Sequence, residues 1–203
     1  AIVMDSHIFL YHTQNLKGIK TLDSPLVTAE MGVCFGKGQH VELRQQFNEF
    51  LKKIKADGTY DEIYNRWMYH ANEAEMPEIQ MPEDGEPIRV ATNSTAPPLV
   101  FIKDGKLVGH DIELANRFAA SIGRRIEWSD MNFSALIPAL VSGNQDMIVA
   151  GVNITPERKE SIDFSDPYFS CNTLIGVREE NSVGYVDGVN DVASTGFFES
   201  IKT

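Results

Sequence analysis

The chain has 203 residues and a formal net charge of −11, from 18 Lys and Arg against 29 Asp and Glu. With 42% hydrophobic and 23% charged residues, its composition is that of a globular protein. The acidic balance argues against nucleic-acid binding, which needs clustered Lys and Arg, and against electrostatic docking to an anionic bilayer. No apolar run approaches the roughly 18 residues that a membrane-spanning helix needs.

The first part of the chain predicts a mixture of strands and helices. In order, we expect a strand at 2–4, a short helix over 8–11, a loop or weak strand at 17–25, a strand at 31–35, an amphipathic helix over 43–54 and a second helix over 59–67. Thr59 and Glu62 have the spacing of a capping box at the start of the second helix. An apolar strand at the very first residue suggests a piece of a longer protein.

Residues 72–87 differ in composition from their surroundings. They contain three prolines, five glutamates and one aspartate. Proline blocks helix formation, and like charges keep a segment extended and hydrated. This composition predicts a linker, after which a new alternation of elements begins.

Strands and helices alternate after the linker. The predicted strands lie at 88–92, 107–110, 126–128, 147–150 and 173–177, and the predicted helices lie over 112–122, after a Ser134 cap and after a Thr155 cap. Such alternation favours an α/β fold with a mostly parallel sheet. The tail, 179–203, is rich in Gly, Asn and Ser, and we expect it to lead into further sequence.

Several kinds of chemistry find no support in the residues. There is no nucleophile motif and no nucleotide-binding loop, so we expect no catalytic residues and no cofactor. The five histidines lack metal-ligand spacing, so we expect no metal site. The two cysteines, Cys34 and Cys171, leave two alternatives open: a single disulfide, or two buried free thiols.

The segment 150–158, AGVNITPER, carries the most informative set of polar groups. A strand ending at Gly151 lets a ligand approach the backbone, and Asn153 adds donors and an acceptor. Thr155 begins a helix whose free N–H groups favour an anion, and the planar guanidinium of Arg158 suits a carboxylate. The segment predicts a carboxylate-binding corner. The alternative, a capped helix with a surface Arg paired to an acidic residue, remains equally open.

The order and spacing of longer motifs resemble one family. From 88 to 178 the chain is similar to the amino-acid-binding family of extracytoplasmic solute-binding proteins of ABC transporters (solute-binding protein family 3). The matching pieces are RVATN at 89–93, GHDIELA at 109–115, NFSALIPAL at 132–140, DMIVAG at 146–151, ITPER at 154–158 and IDFSDPYF at 162–169. Residues 1–69 resemble the C-terminal end of the same family, through AIVMDS at 1–6, MGVCFGKG at 31–38 and LKKIKADGTYDEIYNRW at 51–67.

The resemblance implies a periplasmic-binding-protein-like lobe assembled in permuted order, because the family's end precedes its beginning. Most of the second lobe would be absent. We expect a single sheet from the strands near 88–92, 126–128 and 147–150, with strands 31–35 and 173–177 side by side as hinges. The implied segments are 1–23, the end of lobe two; 24–71, the C-terminal part of lobe one; 72–87, the linker; 88–178, the N-terminal part of lobe one; and 179–203, the tail.

The resemblance also implies roles for individual residues. Arg158 would bind the ligand α-carboxylate, with help from the Gly151 backbone and the Asn153 side chain. Phe133 would pack against the aliphatic part of the ligand, and Asn93 would supply a polar contact from the first strand. Asp5 would accept the α-ammonium group from lobe two, although a helix cap explains Asp5 equally well. Two positions depart from the family pattern: Ala96 replaces a usual aromatic residue, and His110 replaces a usual apolar or aromatic one.

The implied function is binding of an amino acid for an ABC-type transporter, whose membrane subunit would be the partner. The implied location is extracytoplasmic, usually periplasmic, within a larger and possibly membrane-attached protein. The first alternative is a ligand-sensing domain fused to a permease or signalling protein. A dehydratase-like enzyme of the same fold is a further alternative, but only Asp5 offers an acid/base carboxylate, so we expect no enzyme. The last alternative is that this piece binds nothing, because a two-lobe site is cut in half.

Overall fold

A computed structural model describes residues 1–13, 16–22 and 25–179. The chain forms two compact units, one from Ala1–Thr28 with Cys171–Thr203 and one from Ala29–Ser170. Two strands, β3 (Val27–Met31) and β12 (Phe169–Arg178), carry the chain from one unit to the other and pair with each other. Of the predicted tail, 179–203, all but the first residue lies outside the described residues.

The smaller unit is built around β12. Strand β1 (Ile2–Asp5) pairs antiparallel with it, with Asp5 opposite Thr173, and β2 (Ile19–Thr21) pairs on its other side. Helix α1 (Ser6–Thr13) follows β1 directly and buries His7 and Phe9. The predicted strand at 2–4 and helix over 8–11 are therefore present, each slightly longer than expected.

The larger unit contains a mixed sheet in the order β11-β4-β10-β5-β9. Its strands are β4 (Cys34–Gly36), β5 (Pro87–Thr92), β9 (Arg125–Asp130), β10 (Met147–Ile148) and β11 (Ile162–Phe164). The pairs β10–β5 and β5–β9 are parallel, whereas β4 runs antiparallel to both its neighbours. A separate antiparallel sheet joins β6 (Thr95–Ala96), β7 (Val100–Lys103) and β8 (Lys106–Val108).

Helices pack around these sheets. They are α2 (Val41–Ala56), α3 (Thr59–His70), α4 (His110–Ser121), α5 (Phe133–Val141) and α6 (Pro156–Ser161). The apolar faces of α2 and α4 meet through Phe47 and Phe118, whose ring centroids are 5.2 Å apart. A second core cluster joins α5 to the sheet through Leu136, Leu140 and Ile148. The unit is therefore a mixed α/β fold with helices flanking sheets.

Residues on both sides of the linker build the larger unit together. Glu113 of α4, fully buried, accepts hydrogen bonds from Arg66 and Trp67 of α3 at 2.6–2.8 Å, and from Arg117 at 2.9 Å. These bonds satisfy a buried carboxylate that would otherwise be costly to desolvate. Between α3 and β5, residues 72–86 contain no helix or strand, as the linker composition predicts.

The predicted sheet is confirmed for the strands near 88–92, 126–128 and 147–150, and the fold class is confirmed as α/β. The prediction that strands 31–35 and 173–177 lie side by side is wrong. Residues 34–36 belong to the mixed sheet, whereas residues 173–178 pair with β1 and β2. The strand just before residue 34 that also pairs with β12 is β3, 27–31. The chain leaves β3 at Gly32 and Val33, whose N–H groups donate to Val152 O and Ser165 Oγ.

Both cysteines are buried free thiols, so the disulfide alternative is wrong. They also belong to different units, Cys34 to the larger and Cys171 to the smaller. Burial raises the pKa of the Cys34 thiol well above its usual range. None of the helices in the described ranges is both long enough and apolar enough to span a bilayer.

Candidate ligand-binding site

The larger unit has a point where the strand order reverses, and several predicted site residues lie there. From β5 the chain crosses through α4 to β9 on one side, and then through α5 to β10 on the other side. In open α/β sheets, ligands bind in the crevice at the carboxyl ends of the strands at such a point. Asn93 follows β5, and Gly151 and Asn153 follow β10.

The turn after β10 requires glycine. Gly151 has φ +60°, and a Cβ there would lie 2.8 Å from Leu99 Cδ1. Gly109, with φ +128°, approaches the same residue even more closely, because its Cβ would lie 2.2 Å from Leu99 O. Both conformations strongly favour glycine over residues with a side chain. The two glycines let the turn and the start of α4 pack closely around Leu99.

Arg158 is held in a defined position at the start of α6. The Thr155 side chain caps this helix by accepting the N–H of Arg158 at 3.2 Å, which confirms the predicted Thr155 cap. The Arg158 Nη1 donates to the backbone carbonyl of Asn153 at 2.9 Å. Its guanidinium carbon lies 5.7 Å from the centroid of the Phe133 ring, within cation–π range. Three of the predicted residues, Arg158, Asn153 and Phe133, are thus brought together.

Asn153 and Asn93 differ in how their side chains are used. Asn153 Oδ1 is buried and has no hydrogen-bond partner in the described part of the chain. The Asn93 amide donates to Met131 O at 2.9 Å, and its oxygen accepts the Thr95 hydroxyl. Asn93 therefore ties the end of β5 to the loop before α5. That loop leads to Phe133, the first residue of α5, which is 43% exposed and presents its ring at the surface.

The Gly151 N–H is already engaged inside the unit. It donates to Asp111 Oδ2 at 2.9 Å and to the Tyr168 hydroxyl at 3.2 Å, and Tyr168 itself donates to Asp111 at 2.7 Å. Burial and the Asp111 charge raise the pKa of Tyr168 well above its usual range, so Tyr168 stays protonated and donates. In this arrangement the Gly151 N–H is occupied by Asp111 and Tyr168.

The network around Asp111 was not predicted from the sequence. His110 Nδ1 lies 3.0 Å from the other Asp111 oxygen, and its ring stacks on Tyr168 with centroids 6.0 Å apart. His110, Asp111 and Tyr168 are all fully or almost fully buried. The motif GHDIELA marks two of these residues, but only the fold brings Tyr168 to them. His110, which stands where the family pattern has an apolar or aromatic residue, is therefore buried inside an aromatic cluster.

The remaining positions lie elsewhere. Asp5, the last residue of β1, belongs to the smaller unit, where its Oδ1 accepts the Thr173 hydroxyl at 2.9 Å. Burial and the Asp5 charge raise the pKa of the neighbouring Cys171 thiol to about 11. Ala96, where the family pattern has an aromatic residue, is half-buried in β6.

Comparison with curated proteins finds similarity to amino-acid-binding proteins. The chain is 36% identical over 94 residues to the arginine-binding extracellular protein ArtP of Bacillus subtilis. The aligned region covers 46% of this chain and 37% of that protein. It is 40% identical over 87 residues to a probable histidine-binding protein of Campylobacter jejuni, which covers 43% of this chain and 34% of that protein. The chain thus spans little more than a third of the length of these relatives.

Solved structures give a similar set of names. An ancestral arginine-binding protein bound to arginine is 50% identical, with 41% of this chain and 37% of that chain covered and a TM-score of 0.40. The arginine-bound form of domain 1 from TmArgBP is 36% identical, with 47% of this chain and 82% of that chain covered and a TM-score of 0.41.

A family profile matches most of the chain, on both sides of the linker. The family is described as bacterial extracellular solute-binding proteins, family 3, and the matched residues are 5–70 and 88–195. The unmatched segment between them, residues 71–87, coincides with the linker to within one residue, which agrees with the composition of that segment. The chain belongs to family 3 of the bacterial extracellular solute-binding proteins.

Proposed function

We propose that this chain supplies the amino-acid-binding region of an extracytoplasmic solute-binding protein that serves an ABC-type transporter. The observation that carries the proposal is the corner formed by Arg158, Asn153 and Phe133 at the strand-order reversal of the larger unit. Relatives named as arginine- and histidine-binding proteins support an amino acid as the ligand. They also make arginine and histidine the first amino acids to test.

Arg158 is the proposed carboxylate-binding residue. Its Nη1 is anchored on Asn153 O, so the guanidinium is pre-organised and loses little freedom when it binds. A guanidinium has five N–H donors in a planar fork, and those not used by Asn153 can meet a carboxylate bidentately. The Phe133 ring beside it provides an apolar surface for the methylene groups of an amino acid.

Further contacts complete the proposed site. Asn153 Oδ1, buried and without a hydrogen-bond partner in the described residues, is proposed as an acceptor for an N–H group of the ligand, and Gly151 is proposed to let the ligand approach the backbone. The role that the family resemblance implies for Asp5, acceptor of the α-ammonium group, concerns the smaller unit and stays a prediction. Asn93 is proposed to act mainly by positioning the loop that carries Phe133.

The proposed domain organisation follows from the same resemblance. We interpret the larger unit as lobe one of the family, assembled from the segments before and after the linker. The hydrogen bonds of Arg66 and Trp67 to the buried Glu113, and the pairing of β4 with β10, support this interpretation, because both join residues from the two sides of the linker. We propose binding rather than catalysis, since the curated relatives are named as binding proteins.

Thermal unfolding with each of the twenty L-amino acids tests the proposal. A ligand at 100 times its dissociation constant should stabilise the chain by about 2.7 kcal/mol. We expect one class of amino acid to raise the melting temperature of the wild type and of Lys159→Ala, a matched change at the next position of α6. Arg158→Ala should remain folded and show no such shift. A shift of equal size in Arg158→Ala, or no shift with any amino acid, contradicts the proposal.

A further inference from the structure

A group of three potential metal ligands lies in the smaller unit, apart from the Arg158 corner. A carboxylate oxygen of Asp5, a ring nitrogen of His7 and the Sγ of Cys171 all lie within 4.8 Å of one another. Within residues 1–13, 16–22 and 25–179, this is the group of three His, Cys, Asp or Glu residues whose ligand atoms lie close enough together to hold a metal ion. His7 and Cys171 are 4% and 2% exposed, and Asp5 is half-buried.

Backbone pairing fixes this arrangement. Asp5 lies opposite Thr173 in the antiparallel β1–β12 pair, and Cys171 lies two residues before Thr173 on the same strand. Side chains two apart on a strand share a face, so Asp5 and Cys171 point to the same side of the sheet. His7 follows in the first turn of α1, where the Ser6 hydroxyl accepts the N–H of Asn172 at 3.3 Å.

We propose that Asp5, His7 and Cys171 bind a zinc ion, with the fourth coordination position open to water or to a bound molecule. The ligand types select the metal class: thiolate with imidazole suits Zn²⁺, whereas Mg²⁺ and Ca²⁺ take oxygen ligands. One carboxylate and one thiolate balance the charge of the ion, which makes a partly buried site favourable. Binding displaces the thiol proton of Cys171 to solvent.

The distances are compatible with a site that tightens when the metal enters. Tetrahedral zinc places its ligand atoms about 3.3–3.7 Å from one another. Ligand atoms at up to 4.8 Å must therefore approach by about 1 Å, which a small side-chain rotation supplies. Thr173 already holds Asp5 Oδ1 at 2.9 Å, as an outer hydrogen bond that orients a ligating carboxylate.

The sequence does not reveal this site, because Cys171 is far along the chain from Asp5 and His7. The zinc site uses Asp5, to which the family resemblance assigns the α-ammonium group, but none of its contacts involves Arg158. Arg158→Ala should therefore bind zinc as the wild type does. This variant separates a failure of the zinc site from a failure of the proposed function.

Cobalt substitution is the first test. We expect one equivalent of Co²⁺, added to the tag-free, reduced chain, to give a thiolate-to-cobalt charge-transfer band that one equivalent of Zn²⁺ removes. Cys171→Ala and His7→Gln should weaken Co²⁺ binding at least about 100-fold. Loss of a residue that only hydrogen-bonds to a metal ligand typically weakens binding about 10–100-fold. Thr173→Val should weaken it about 10-fold. The matched variants Cys34→Ala and His12→Gln should bind as the wild type does.

X-ray absorption of the zinc-loaded wild type gives an answer that needs no variant to fold. We expect one sulfur at about 2.3 Å together with nitrogen and oxygen ligands at about 2.0–2.2 Å. A shell of nitrogen and oxygen alone overturns the proposal. So does the absence of a charge-transfer band at one equivalent, or a band that survives in Cys171→Ala and disappears in Cys34→Ala.

Discussion

Arg158 illustrates how one side chain is prepared for an anion before the anion is present. The Thr155 cap fixes its backbone, the Asn153 carbonyl holds one nitrogen, and the Phe133 ring covers one face of the guanidinium. Each of these contacts restricts the side chain, so fewer rotamers are lost when a ligand binds. The alternative raised by the sequence was a capped helix with a surface Arg paired to an acidic residue. Among the described residues the cap is present, but the hydrogen bond of the Arg158 side chain goes to a backbone carbonyl.

Arg158→Lys separates shape from charge at this position. Lysine keeps the positive charge but cannot hold Asn153 O and a carboxylate in one plane. We expect an affinity for the amino acid at least about 30-fold lower than in the wild type, or about 2 kcal/mol. Isothermal titration calorimetry measures it. Unchanged affinity in Arg158→Lys shows that the planar fork is not used.

Tyr168 supports the turn that carries Gly151. The Tyr168 hydroxyl donates to Asp111, and both Tyr168 and Asp111 accept the Gly151 N–H. We therefore expect Tyr168→Phe to lower the free energy of unfolding by about 1.5–3 kcal/mol. Urea unfolding measures the change. Tyr69→Phe, at a side chain that is 55% exposed, is the control and should stay within about 0.5 kcal/mol. A Tyr168→Phe variant as stable as this control contradicts the role assigned to Tyr168.

At the scale of elements, hydrophobic periodicity was a better guide than capping motifs. The spacing of Leu43, Phe47 and Leu51 predicts α2 correctly, because all three are buried on one face. The capping box at Thr59 is wrong: the N-cap of α3 is Gly58, with φ +85° and no side-chain cap. The Thr59 N–H instead bonds to Asp57 Oδ1, an interaction that the sequence pattern does not distinguish from a cap.

Other errors have the same origin in long-range contacts. The helix predicted to begin at Ser134 has Asn132 as its N-cap, two residues earlier, where Met131 is held by Thr92 and Asn93. The network of Asp111, Tyr168 and Gly151 joins residues that are distant in sequence, so no local pattern contains it. The corner at 150–158 was predictable because its groups lie on one strand, turn and helix.

Glu113 joins α3 to α4, and therefore the two sides of the linker. Glu113→Gln removes the charge that Arg66 and Arg117 share, and we expect it to lower the free energy of unfolding by about 3 kcal/mol. Chemical unfolding provides the measurement, with the exposed Glu62→Gln of α3 as the control. A loss no larger than that of the control means that the charge of Glu113 does not help to hold the two segments together.

Asp163 of β11 ties the loop after β4 and helix α2 to the sheet. The Gly38 N–H, with Lys37 and Arg44, holds the pKa of Asp163 below its usual range. A lowered folded-state pKa means that the ionised group stabilises the fold above the unfolded value of about 3.9, and that this contribution is lost on acidification.

We therefore expect Asp163→Asn to be about 1 kcal/mol less stable than the wild type at pH 7, with the difference shrinking towards pH 3. Urea unfolding across that pH range measures the effect, and the exposed Asp84→Asn serves as the control. A difference that stays constant with pH contradicts an electrostatic role for Asp163.

At the scale of the whole molecule, the linker connects two segments of one folded unit. Lys103 holds its start through the carbonyls of Asn72 and Ala74, and β5 begins at Pro87. Residues 75–84 between these points are an acidic, proline-containing connection. Replacing them with a Gly/Ser segment of equal length should change the free energy of unfolding by less than about 1 kcal/mol, because the loop length, which sets the closure entropy, stays the same. A larger loss by urea unfolding assigns the linker a structural role.

The central claim is that Arg158 recognises an α-carboxylate, and one titration tests it most directly. Calorimetry should compare the amino acid that gives the largest thermal stabilisation with its primary amide, which keeps the α-ammonium group and side chain but has no carboxylate charge. We predict that the amide binds at least about 30-fold more weakly to the wild type, and that Arg158→Ala no longer discriminates between the two. Equal affinities of the wild type for acid and amide contradict the account.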